Sequence, residues 1–152
     1  MSPLASLRPQ VARFLAQKPI PLFVAGRWAP GSTGRTLEVR DPGDGTEIAR
    51  VSAGEAADID AAVAAAENAF RTSGWPQLPA NDRAALIHRL ADLVERDRDI
   101  LAQIESLDVG KPLAAAQGID IPNVAQTLRY FADLSVHTRR REPIAVPQTP
   151  IR

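Results

Sequence analysis

Few residues of this chain are of a type and spacing to do chemistry. There is no cysteine, so neither a thiolate nucleophile nor a disulfide can form within these 152 residues. The two histidines, His88 and His137, stand far apart. A zinc site would need carboxylates to complete its ligand set. His88 is followed by Arg89, and His137 by Thr138-Arg139, which reads as solvated or interfacial imidazole. The carboxylate pairs Asp58/Asp60 and Asp97/Asp99 lie in charged stretches near expected helix starts. There they oppose the positive end of a helix dipole, whereas acid–base work would need a shared pocket and separated pKa values. The glycine pairs Gly31/Gly34 and Gly43/Gly45 sit in turns between short strands. A dinucleotide fingerprint needs a third glycine in register at a strand-to-helix junction, so no cofactor-binding residue is assigned. The run Arg139-Arg140-Arg141-Glu142 has no interleaved aromatics and sits in a chain of zero formal charge, with 18 basic and 18 acidic side chains. It reads as a solvated or subunit-contact surface, and nucleic acid is not an expected partner.

These residues must be positioned by short strands and amphipathic helices. Residues 1–19 form a helical lead-in, with Val11, Phe14 and Leu15 at helical spacing and Pro19 ending the pattern. Residues 21–28, 35–40 and 47–51 read as three strands, separated by Pro30-Gly31-Ser32-Thr33-Gly34 and Asp41-Pro42-Gly43-Asp44-Gly45. A helix follows over about 55–71, capped by Gly54, with Ile59, Val63, Ala66 and Phe70 on one face. A second covers about 80–96, with Leu86, Leu90, Leu93 and Val94 facing inward. A third begins near Asp99 and stops at Gly110, two residues before Pro112. A fourth carries Pro122 in its first turn and Leu128 and Phe131 on its apolar face. The fold class is therefore α/β, a short antiparallel β-meander plus four or five helices. The divisions are 1–19, 20–137, and a tail over 138–152 that holds the proline-bounded extended segment 143–147.

Hydrophobic residues are 45% and charged residues 24% of the chain, as in a soluble globular protein. This length suits one core. No apolar run approaches the roughly 20 residues that span a bilayer, and the first residues lack the pattern of a secretory leader, so a cytoplasmic location is expected. With aromatics at 5% and alanine frequent, the helices should pack closely through small side chains.

One further run bears on function, Glu105-Ser106-Leu107-Asp108-Val109-Gly110-Lys111-Pro112. It does not stand alone. Leu22-Phe23-Val24-Ala25-Gly26-Arg27-Trp28 precedes it, then Val39-Arg40-Asp41-Pro42 with Gly45 and Ile48, then Asp60-Ala61-Ala62-Val63-Ala64-Ala65-Ala66 with Ala69-Phe70 and Trp75. Residues 83–97 follow, and after the run come Leu128-Arg129-Tyr130-Phe131-Ala132 and Thr138-Arg139-Arg140-Arg141-Glu142-Pro143. In this order, over about residues 20–146, the chain resembles the N-terminal segment of the NAD(P)-dependent aldehyde dehydrogenase family. The resemblance implies a partial cofactor-binding domain without its doubly wound core. It also implies that 138–143 match the strand that bridges subunits. In that family the nucleophilic cysteine, the general-base glutamate and the glycine turn that holds NAD or NADP follow the bridging strand, and none has a position here. The expectation is a truncated, non-catalytic segment that binds no cofactor alone, with self-association or a complementing aldehyde dehydrogenase chain as its partner. The alternatives are one piece of a split active enzyme and a stand-alone interaction module. One family site does map. Some members hold a monovalent cation through backbone carbonyls at the step matching Val39-Arg40 and the aspartate matching Asp108, with another ligand from beyond the matched residues.

Overall fold

The computed structural model describes residues 7–137. The features expected over 138–152, including Arg139 to Arg141 and the bridging strand, lie outside the described residues, as do residues 1–6. The fold is mixed α and β, with two small antiparallel sheets and five helices of two turns or more among the described residues.

The lead-in forms helix α1, Pro9–Leu15, whose proline occupies the first turn and whose Val11 and Leu15 are buried. After it Ile20 joins the second sheet, donating its N–H to the Arg50 carbonyl and accepting from the Ser52 N–H at 2.8 and 2.9 Å. The run expected as one strand over 21–28 is instead a hairpin, β1 (Leu22–Val24) against β2 (Arg27–Ala29). Its two turn residues, Ala25 and Gly26, both have positive φ, 52° and 76°. That left-handed pair matches the twist of the strands and lets a two-residue loop close. The Ala25-Gly26 step is short enough to be read as a continuation of the strand, which is why periodicity missed the reversal. A second hairpin pairs β3 (Thr36–Arg40) with β4 (Glu47–Ser52). Val39 opposes Ala49 but Arg40 opposes Glu47, so Ile48 is the extra residue of a bulge.

The helices fall close to their expected places. Helix α2 is Ala56–Thr72, but its cap is Glu55, not Gly54. Glu55 and Asp58 form a reciprocal capping box, in which the Asp58 carboxylate accepts the Glu55 N–H at 2.9 Å. Asp58 also accepts the Ser32 hydroxyl at 2.9 Å and so ties the helix to the loop before β3. Helix α3 is Ala80–Arg96 and α4 is Arg98–Val109, with a single bend at Asp97. A short turn, Leu113–Ala115, runs through a π-turn, Ala116–Asp120, into α5, Ile121–His137.

Helices α3 and α5 pack through alanine. Ala84 and Ala91 on one, Ala125 and Ala132 on the other, are buried. Small side chains let the two backbones approach. Polar ties flank the seam: Arg129 reaches Asp92 and Glu95 at 2.7 and 2.8 Å, and His88 meets Asp133 at 2.8 Å. Later residues of α3 meet earlier residues of α5, so the two helices run antiparallel. The main core lies elsewhere, where Val11, Leu15, Ile20, Ile48, Ala49 and Leu107 join α1, the second sheet and α4.

The larger apolar side chains are not where the helical pattern placed them. Leu86 and Leu90, expected inward on α3, are half exposed. Phe131 on α5 is exposed too, and α2 has no buried residue at all, with Phe70 77% exposed. The pattern correctly marks an apolar face, but no described element covers it. No helix among the described residues is long and apolar enough to cross a membrane.

Candidate functional site

The Glu105-to-Pro112 run is a junction where the end of α4 meets the β3–β4 turn. Gly110 ends the helix with φ +70°, a left-handed residue that satisfies the Ser106 carbonyl through its own N–H at 3.0 Å. A Cβ at this position would stand 2.8 Å from Cγ of Pro42. Glycine is thus required for its backbone angle and for the approach of the turn. The Ser106 hydroxyl donates to the Lys111 carbonyl at 2.6 Å, and the Lys111 ammonium pairs with Asp120 in the π-turn. On the turn side, Asp41 is buried and its carboxylate accepts the Gly43 N–H at 2.7 Å. Asp44 accepts both the N–H and the hydroxyl of Thr46, at 2.9 and 2.6 Å, and these bonds hold its carboxyl below its ordinary range. Asp41 and Ser106 stand in runs that carry the family resemblance, whereas no signal in the sequence points to Asp120. An Asp-Pro-Gly step was a signal for Asp41, since aspartate there bonds a backbone N–H two residues on.

Of the cation candidates, Val39 and Asp108 line one apolar cleft, with Phe14, Ile20, Ile104 and Leu107. Arg40 adjoins Val39 at the bulge, where ladder pairing is interrupted. Its side chain turns to the Gly45 carbonyl at 2.7 Å and to the Glu38 carboxylate at 2.6 Å. Backbone and carboxylate oxygens of this kind suit a hard cation, not a thiolate- or imidazole-seeking metal. Among the described residues no group of three or more His, Cys, Asp or Glu side chains could hold a metal ion.

The remaining titratable candidates are spread over separate structural ties. His88 bridges α3 and α5 through Asp133. His137 is the exposed last residue of α5. Asp58 caps α2, and the Glu55 N–H followed by the Ser32 hydroxyl lowers its pKa. Asp97 pairs with Arg96, which lowers its pKa. Asp99 pairs with Arg8 and accepts from Gln117. Glu95 is lowered chiefly by its bond from Arg129, and Glu47 by its bond from Arg50. Each of these shifts favours the charged form, the opposite of a carboxylic acid kept protonated for catalysis. The structure therefore places Val39 and Asp108 on one cleft, with Arg40 adjoining Val39 at the bulge.

Comparison with known proteins agrees with this scaffold. The model of the aldehyde dehydrogenase family matches residues 28–150. Human retinaldehyde dehydrogenase 3 is 42% identical over 125 residues, which are 82% of this chain and 24% of that protein. The mitochondrial benzaldehyde dehydrogenase of Antirrhinum majus is 40% identical over 111 residues, 73% of this chain and 21% of that one. Among solved structures, the NAD+ complex of an aldehyde dehydrogenase from Bacillus cereus superposes with a TM-score of 0.81 at 39% identity. It covers 84% of this chain and 26% of that chain. The chain belongs to the aldehyde dehydrogenase family. It spans about a quarter of the length of the curated relatives it matches.

Proposed function

We propose that these 152 residues form a supporting scaffold in the NAD(P)-dependent oxidation of an aldehyde to a carboxylic acid, and carry no such activity alone. The observation that carries this reading is the pairing of family membership with a sequence that has no cysteine. Covalent aldehyde oxidation needs an activated thiolate, which must then come from outside these residues. The nicotinamide cofactor also needs a glycine turn opening a helix after a parallel strand, and the described strands pair only as antiparallel hairpins. The scaffold would work in the cytoplasm, completed by further aldehyde dehydrogenase polypeptide. At the junction of α4 with the second hairpin, the backbone of Val39-Arg40 and the carboxylate of Asp108 would supply part of a monovalent cation site that braces the two.

The exposed apolar faces of α2, α3 and α5 favour completion by a second polypeptide over a self-contained module. The test is to assay the pure chain with NAD+ or NADP+ and a panel of aldehydes, alone and after co-expression with the remaining three quarters of a related aldehyde dehydrogenase. The expected result is no turnover alone, no cofactor binding in the low micromolar range (about −8 kcal/mol), and turnover with the complement. Turnover by the chain alone would overturn the reading.

A further inference from the structure

We draw no further inference here: the strongest candidate, the unpartnered apolar face of α2 with Ile59, Val63 and Phe70 exposed on it, carries nothing because nothing in the structure shows what covers it.

Discussion

Gly110 shows how one residue can answer to two constraints. It adopts φ +70°, and its missing Cβ leaves room for the Pro42 ring. Gly110→Ala should therefore lower stability by about 1–3 kcal/mol, combining left-handed strain with a contact that the rigid ring cannot yield to. Gly118→Ala is the control. It lies in the π-turn, and an added Cβ there meets nothing within 4 Å. It should be neutral or slightly stabilising, because it removes freedom from the unfolded chain. Urea midpoints of the two variants measure the contrast, and equal midpoints would refute the packing argument. Arg129 offers a second residue-scale test. It bonds both Glu95 and Asp92, and its bond to Glu95 lowers the Glu95 pKa. A carboxyl depressed on folding adds stability above its unfolded value, here about 4.5, and that stability is lost as pH falls through the lower folded value. Arg129→Gln should raise the Glu95 pKa in a carbon-detected NMR titration and flatten the acid side of the stability curve. The change in stability should be small, because both carboxylates are solvent-exposed.

The antiparallel pair α3 and α5 is the element with the sharpest internal contrast. Its seam is alanine, while Leu86 and Leu90 of α3 stand half exposed. Ala91 is fully buried, so Ala91→Leu should force the helices apart and cost about 1–3 kcal/mol. Leu90, one residue earlier, is 48% exposed. Leu90→Lys should lower the melting temperature of the isolated chain only slightly, since about half of this leucine already lies in solvent. The same leucine variant should weaken complementation by the remaining aldehyde dehydrogenase polypeptide, because that is where its apolar face would be used. Thermal melts and the complementation assay read the two effects separately. A large loss of melting temperature in Leu90→Lys would show that this face is already packed.

At the scale of the whole molecule, the balance of buried and exposed apolar surface is unusual. The main core gathers medium-sized residues around Val11 and Leu107, whereas Phe23, Trp28, Phe70, Tyr130 and Phe131 all lie largely in solvent. Covering a large apolar side chain is worth roughly 1.5–3 kcal/mol. Several left open amount to a large part of the 5–15 kcal/mol that stabilises a typical domain. The pure chain should therefore self-associate, bind a hydrophobic dye and melt over a broad range. Light scattering, dye fluorescence and calorimetry check this. A monomer with a sharp cooperative melt and no dye binding would show that its core suffices and would favour the stand-alone module.

Local signals in the chain determined most of the elements. Helix periodicity with Gly110 and Pro112 marked the end of α4, and the turn-bounded run over 35–40 marked β3. The order of the matched segments was enough to recognise the family, because each is a local run whose spacing survives without knowledge of contacts. Tertiary structure decided the rest. It turned residues 21–28 into a hairpin, because a two-residue turn leaves almost no trace in a hydrophobic pattern. It tied the start of α2 to the loop before β3, because the Ser32 hydroxyl reaches the Asp58 carboxylate that also closes the capping box with Glu55. It placed Pro42 over Gly110 and set Val39 and Asp108 on one cleft, a meeting of residues about seventy apart. Periodicity says which face of a helix is apolar, but only the other elements present decide whether that face is covered. In α3, Ala84 and Ala91 took the interior while Leu86 and Leu90 remained half exposed.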